Sequence, residues 1–94
     1  MDALSAEQRA RRSALLARLK PQAEALEETA DGYALRLPIA VGVIAEAAEF
    51  AALERLCCPF FRFVIELEAE GGPAWLRITG PEGAKQLLRD ALGG

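Results

Sequence analysis

The stretch FRFVIELEAEGGPAWLRIT, residues 61–79, contains the pattern that decides the fold. Apolar and polar residues alternate along 61–68 and again along 74–79, a period of two that is typical of strands with one buried face. The Gly71-Gly72 pair between the two runs favours a tight turn. A hairpin closed there matches each side chain with one of like or complementary character. The predicted pairs are Leu67 with Leu76, Ile65 with Ile78, and Glu66 with Arg77.

An earlier hairpin is predicted around Asp31-Gly32, because both residues tolerate the positive φ that a two-residue turn requires. Its strands are expected at about 24–29 and 33–38. Pairing outward from the turn places Leu26 opposite Leu37 and Glu27 opposite Arg36. Residues 22–29 leave an alternative open, since their composition also favours an extension of the preceding helix.

Three helices complete the pattern. Ser5 and Gln8 form a capping box, which predicts a first helix over about 6–20 that Pro21 ends or kinks. A second helix is expected over about 41–57. It is apolar over most of its circumference, so we expect neighbours on two sides. The third should run over about 81–91, with Pro81 in its first turn.

These elements predict an α+β fold with the order α-β-β-α-β-β-α. Its four-stranded, largely antiparallel sheet carries helices packed on one face. A chain of 94 residues is the size of a single domain, here 1–94. The N-terminal helix, about 6–20, has only a narrow apolar stripe and is a candidate for a peripheral element.

Composition bounds the partners and the location. Hydrophobic residues make up 52% of the chain and charged residues 27%, a globular balance. The net charge of -3 argues against nucleic acid as a partner. No apolar run reaches the ~18 residues that a membrane span needs. The N-terminus lacks the order of a signal peptide, so a cytoplasmic location, where thiols stay reduced, is expected.

Adjacent cysteines, Cys57 and Cys58, are the most reactive groups in a chain that contains no histidine. Without histidine, Ser-His-Asp and Cys-His sites are excluded, as is histidine-based zinc or iron. No glycine-rich phosphate loop is present either. The sequence therefore favours a protein that is not an enzyme.

Soft-metal binding suits this thiol pair. Two thiolates can hold Cu(I) or Hg(II), or supply part of a site for As(III), Cd(II) or Zn(II). Pro59 restricts the backbone of Cys58, so the two thiols need not point in opposite directions. A tetrahedral zinc site would need Glu54, water or a second subunit's thiols as further ligands. Arg55 and Arg62 are expected to support the site by offsetting its negative charge.

Two other roles for the cysteines stay open. Cysteine is often buried as a small apolar residue, so both thiols could be inert packing in a structural or protein-interaction module. A disulfide between neighbours would be strained, because their Cα atoms are only ~3.8 Å apart, and it could act as a redox switch. A catalytic nucleophile is disfavoured at a helix C-terminus without a histidine base.

The segments ERLCCPFFRF (54–63) and PAWLRITGPEG (73–83), together with Asp31-Gly32-Tyr33, resemble a group of small uncharacterised bacterial proteins. These share a Glu-Arg-x-Cys-Cys-Pro-Phe core, a hairpin and a Thr-Gly-Pro-Glu-Gly helix start. The resemblance covers about residues 30 to 90. Some of these proteins are associated with heavy-metal or arsenic response, so the resemblance implies thiol–metal chemistry.

Phe60 and Trp75 are the candidate interface residues. Strand alternation places both on the outward face of the second hairpin, near Arg62 and Arg77. Together with Val64 they would form an apolar patch. Such a patch predicts a homodimer or a protein partner.

Overall fold

The computed structural model describes residues 4–92 and has the predicted order of elements. The sheet order is β1-β2-β4-β3, with every neighbouring pair antiparallel. The fold is therefore α+β, as predicted, and the segment after the first helix is a strand rather than more helix. The elements are α1 (Ala6–Gln22), β1 (Ala25–Thr29), β2 (Gly32–Leu37), α2 (Val41–Cys57), β3 (Arg62–Leu67), β4 (Ala74–Thr79) and α3 (Ala84–Leu92).

Helix α1 begins at the predicted capping box. The Ser5 hydroxyl accepts from the Gln8 backbone N–H at 3.1 Å, and the Gln8 side chain accepts from the Ser5 N–H at 3.0 Å. Pro21 lies in the last turn of α1, which continues one residue beyond it to Gln22. Leu15 and Leu19 are fully buried, so α1 contributes to the core.

Helix α2 begins and ends where the sequence predicted, and α1 lies antiparallel beside it. Arginines of α1 face acidic residues of α2 across this contact. Surface ion pairs of this kind add little to stability, because solvent screens them. The pairs are Arg11–Glu49 at 2.8 Å, Arg12–Glu54 at 3.4 Å and Arg18–Glu46 at 2.8 Å.

The core lies between the sheet and the helical layer. The central strands β2 and β4 point every second side chain toward the helices, and all three helices add residues to the same cluster, so the helices share one face of the sheet. The buried cluster comprises Leu15, Leu19, Tyr33, Leu35, Leu37, Val43, Ala47, Phe50, Phe61, Ala74, Leu76, Ile78, Ala84 and Leu88.

The predicted register of the first hairpin is wrong by two residues. Leu26 opposes Leu35 rather than Leu37, and Glu27 opposes Ala34 rather than Arg36. The turn is formed one residue earlier than predicted, because Gly32 is already the first residue of β2. A methyl group at Gly32 would overlap the backbone carbonyl of Ile78 in β4. The glycine is thus required for close strand approach, not for the turn.

The second hairpin is displaced in the same way. Ile65 opposes Leu76 rather than Ile78, and Leu67 opposes Ala74 rather than Leu76. Positive φ angles occur at Glu70 (59°) and Gly71 (72°), so the turn is centred one residue before the predicted Gly71-Gly72 pair. A shift of two residues keeps each side chain on its predicted face.

Glu66 and Arg77 were predicted to lie directly opposite each other. In the observed register they are diagonal neighbours and still form a contact. Glu66 directly opposes Trp75, yet its carboxylate accepts from the Arg77 guanidinium at 2.9 Å. Long side chains reach diagonal neighbours on a sheet.

Helix α3 starts three residues later than predicted, at Ala84 instead of Pro81. Gly83 has a φ of 91°, which interrupts the helical conformation before that point. The Ala84 N–H donates to the Pro81 carbonyl at 3.0 Å, so Pro81 belongs to the turn that leads into the helix.

Candidate functional site

The end of α2 positions both cysteines. Cys57 is the last helical residue and Cys58 is the C-cap, whose N–H donates to the Glu54 carbonyl at 2.8 Å. The Cys58 carbonyl in turn accepts from the Phe61 N–H at 3.2 Å. The chain therefore turns sharply at Pro59 and Phe60, and the thiols occupy the corner between helix and strand.

The two sulfur atoms converge. Their Sγ atoms are 3.7 Å apart, with the Cys58 thiol donating to the Cys57 sulfur. Both thiols are free and both side chains are half-buried. Cys58 also packs against the core cluster. The pair thus forms a two-sulfur site at the rim of the core, open to small solutes on one side.

The surroundings disfavour a negative charge on Cys58. Burial, the contact with Cys57 and the nearby Glu54 carboxylate together raise the pKa of the Cys58 thiol to about 12. Its place at the C-terminal end of α2, where the helix dipole is negative, acts in the same direction. Cys58 is therefore a neutral thiol at physiological pH, and a ligand that binds its sulfur must displace a proton.

Glu54, the candidate third ligand, is engaged elsewhere. Its carboxylate lies near enough to Cys58 to affect the pKa of that thiol, but it pairs with Arg12 of α1 at 3.4 Å. Across residues 4–92, no group of three cysteine, aspartate or glutamate side chains is arranged to hold a metal ion. The ready-made ligands are therefore the two sulfurs.

Arg55 and Arg62 are not among the groups that shift the pKa of Cys58. Arg55 projects roughly 160° around the helix from Cys57, because successive residues of an α-helix are ~100° apart. Within the described part of the chain, neither arginine forms an ion pair. Both line an open groove of about 490 Å³ between α2 and β3, called here the arginine groove. Its other lining residues are Ala51, Ala52, Pro59, Phe61 and Phe63.

This groove was not predicted from the sequence. One signal was present, since helical spacing alone sets Arg55 opposite Cys57. The position of Arg62 has no such signal, because it depends on the direction in which the chain leaves the turn at Pro59 and Phe60. The sequence neighbours of the thiols are thus divided between two sites.

Phe60 and Trp75 do not form one patch. Phe60 lies in the turn before β3 and packs on Phe61, with ring centroids 4.6 Å apart. Trp75 lies four residues along β4 from Thr79, which opposes Arg62 at the start of β3, so ~13 Å of strand separates Trp75 from the end of the sheet that Phe60 adjoins. Its indole N–H donates to Glu68 at 2.8 Å, and Arg77 lies 5.3 Å over its ring. Trp75 is thus held within its own sheet face.

Comparison with protein-family models, with curated proteins and with solved structures finds no match for this chain. None of the described helices is long and apolar enough to cross a membrane. What the protein binds must therefore be inferred from its own side chains.

Proposed function

We propose that this protein is a non-enzymatic module that binds a soft metal or metalloid ion through Cys57 and Cys58. The observation that carries the proposal is the 3.7 Å separation of two free, half-buried sulfurs. Adjacent residues usually direct their side chains apart. Here the helix end and the turn at Pro59 bring both thiols to one point.

The sulfur separation suits a bent arrangement around the ion. For a metal–sulfur bond of ~2.3 Å, as for zinc, a separation of 3.7 Å corresponds to a sulfur–metal–sulfur angle of roughly 107°. That angle fits a three- or four-coordinate ion, such as As(III) or Zn(II). A linear two-coordinate ion, such as Cu(I) or Hg(II), would need sulfurs ~4.6 Å apart at the same bond length, hence a rotation of one thiol.

Further ligands must come from outside the sulfur pair. Water or a small external thiol can complete the coordination on the open side. Glu54 can supply a third protein ligand, because its 3.4 Å ion pair with Arg12 engages one of its two carboxylate oxygens. The resemblance to proteins associated with metal or arsenic response supports the same chemistry, as does a cytoplasmic location, where thiols remain reduced.

The two alternative roles of the cysteines have less support. Inert packing suits buried thiols, whereas both of these are half-buried. A disulfide would require the sulfurs to close from 3.7 Å to about 2.05 Å across adjacent residues, a strained geometry.

Titration of the reduced protein tests the proposal. Zn(II), arsenite, Cu(I) and Hg(II) are added separately to the wild-type chain and to the double variant Cys57→Ser/Cys58→Ser. We expect one ion per chain and at least a ~100-fold loss of affinity in the double variant, because serine supplies no thiolate. Matched thermal melting of the two proteins controls for folding. Equal affinity in both proteins for every ion would contradict the proposal.

A further inference from the structure

An uncovered apolar surface runs along one side of the molecule and is independent of the thiol site. It consists of Val41, Ala45, Ala48 and Ala52 of α2 with Leu67 of the edge strand β3, and is called here the β3–α2 face. Val41 is 86% exposed and Leu67 is 58% exposed. Strand β3 also forms an edge of the four-stranded sheet, so the backbone groups on its outer side lack a strand neighbour within that sheet.

We propose that a second copy of this chain covers the β3–α2 face. The two β3 strands would pair antiparallel about a two-fold axis at Val64 and join the sheets into one of eight strands. Such an interface is isologous, so the pattern of one strand must complement itself. The pairs across the axis are Arg62 with Glu66, Phe63 with Ile65, Phe61 with Leu67, and Val64 with its own copy.

Charge selects this register. An antiparallel pair keeps each residue on its own face, so the axis must pass through a residue. An axis at Phe63 would oppose Arg62 to Val64, and an axis at Ile65 would oppose Val64 to Glu66. Of these, only the axis at Val64 sets Arg62 against a carboxylate without opposing Val64 to a charged side chain, since the axis at Ile65 would set Arg62 against Glu68 but Val64 against Glu66. Arg62 has no ion-pair partner in the described part of its own chain.

Shape and polarity agree with this register. Leu67 points to the helical side of the sheet, where its side chain is 58% exposed. The axis at Val64 places it beside Phe61 of the second copy, at the arginine groove. That groove is lined by Phe61, Phe63 and alanines of α2, which offer an apolar surface to the leucine. An exposed leucine on each copy thus meets the aromatic and alanine side chains of the groove on the other, beside its two arginines.

The helices follow the same symmetry. Helix α2 runs antiparallel to β3, so pairing of the strands brings the two α2 helices side by side. Val41, Ala45, Ala48 and Ala52 lie on one exposed side of α2, spaced four, three and four residues apart. Their small side chains permit an interaxial distance of about 8 to 10 Å. A second copy would therefore account for an apolar helix side that neither α1 nor the sheet covers.

This dimer keeps the thiol pairs apart. The two-fold axis runs the two α2 helices antiparallel, and Cys57 is the last residue of each helix, so the two thiol pairs lie at opposite ends of the helix pair. No site of four thiolates forms in this way. Dimerisation and metal binding can therefore fail independently, and each experiment reports on one of them.

Sedimentation equilibrium under reducing conditions, over a wide concentration range, tests the dimer. We expect the wild-type chain to approach twice its mass of 10.1 kDa. Arg62→Glu and Glu66→Arg should each weaken dimerisation by about tenfold or more, through like charges across the axis. The double variant Arg62→Glu/Glu66→Arg should regain part of the affinity, because the charges across the axis are again complementary, although the introduced arginine loses the contact that Glu66 makes with Arg77 of its own chain.

Two further variants complete the test. Ala48→Glu places a carboxylate from each copy in the contact between the two α2 helices and should leave the chain monomeric, while its exposed position spares the fold. Glu27→Arg, a charge reversal on the opposite edge strand β1, is the matched control and should dimerise as the wild type does. A wild-type chain that stays monomeric, or a dimer that tolerates Ala48→Glu or Arg62→Glu, would overturn the proposal.

Discussion

The last turn of α2 has two sides with opposite chemistry. On one side, Cys57 and Cys58 bring two sulfurs together near Glu54, and the carboxylate helps to raise the pKa of Cys58 to about 12. On the other side, Arg55 joins Arg62 in an open groove where neither has an acidic partner among the described residues. Residues that follow one another in the chain thus serve two separate surfaces.

This division determines how the sulfurs can become charged. An arginine beside a thiol would lower its pKa and prepare a reactive thiolate. Here neither arginine is among the groups that shift the pKa of Cys58, whereas the Glu54 carboxylate raises it, so the protein itself keeps that thiol protonated. A bound metal ion would supply the missing positive charge and displace the proton. The sulfur side is therefore suited to capturing an ion rather than to nucleophilic chemistry.

The largest expected effect is on the pH dependence of metal affinity. Because the pKa of Cys58 is raised to about 12, its sulfur carries a proton throughout the physiological range. Each ion bound must release that proton, so the apparent affinity should rise about tenfold or more per pH unit between pH 6 and 8. Competition with a chelator of known pH dependence measures this slope.

The sign of this effect is fixed by the direction of the pKa shift. A raised pKa disfavours the thiolate, so acid weakens binding and alkali strengthens it. An apparent affinity that stays constant across this range would mean that the Cys58 sulfur is not a ligand. The double variant Cys57→Ser/Cys58→Ser provides the baseline for binding elsewhere on the chain.

A smaller effect is expected when one charge on each side of α2 is removed. Glu54→Gln removes a carboxylate that raises the pKa of Cys58, so more thiolate should be present at pH 8. Labelling of the Cys57→Ser background with a disulfide reagent should then accelerate roughly threefold to tenfold. Arg55→Gln, one residue further along on the opposite side, should leave the labelling rate unchanged.

Thermal melting of both variants shows whether faster labelling comes from a loss of stability rather than from a change in the pKa of Cys58. Glu54 also pairs with Arg12, and loss of that pair alone should cost at most about 1 kcal/mol of stability. Equal acceleration in the Glu54 and Arg55 variants would show that the two sides of the helix are not electrostatically distinct.

Much of the fold could be predicted from the sequence because local signals agreed with one another. The capping box at Ser5 and Gln8 set the start of α1, and the bounds of α2 followed from its apolar run before Cys58-Pro59. Alternation along 61–68 and 74–79 assigned each side chain to the correct face of the sheet. These features depend on residues close in sequence, where propensity and period are informative.

The strand registers and the start of α3 were harder to predict from the sequence than the helices α1 and α2, since they depend on contacts between residues that are distant in sequence. Gly32 was interpreted as a turn residue, whereas it is needed because β4 passes too close for a side chain. In the second hairpin, Glu70 takes a positive φ that glycine would have been expected to take. At the start of α3, Gly83 rather than Pro81 decides where helical geometry begins.

The candidate site was only partly predictable for the same reason. The corner containing Cys57 and Cys58 was located from the sequence, but the distance between the sulfurs depends on how the chain turns at Pro59. The separation of Arg62 from the thiols depends on the same turn. A pattern of residue types could therefore name the groups that bear the chemistry without showing which of them act together.

X-ray absorption spectroscopy of the reduced protein, loaded with one equivalent of Zn(II), tests the sulfur site most directly. With Cys57 and Cys58 as ligands, the spectrum should show two sulfur neighbours at ~2.3 Å, with lighter atoms filling the remaining positions. The double serine variant should lose the sulfur contribution. A wild-type spectrum with only oxygen or nitrogen neighbours would contradict the proposal that the thiol pair binds the metal.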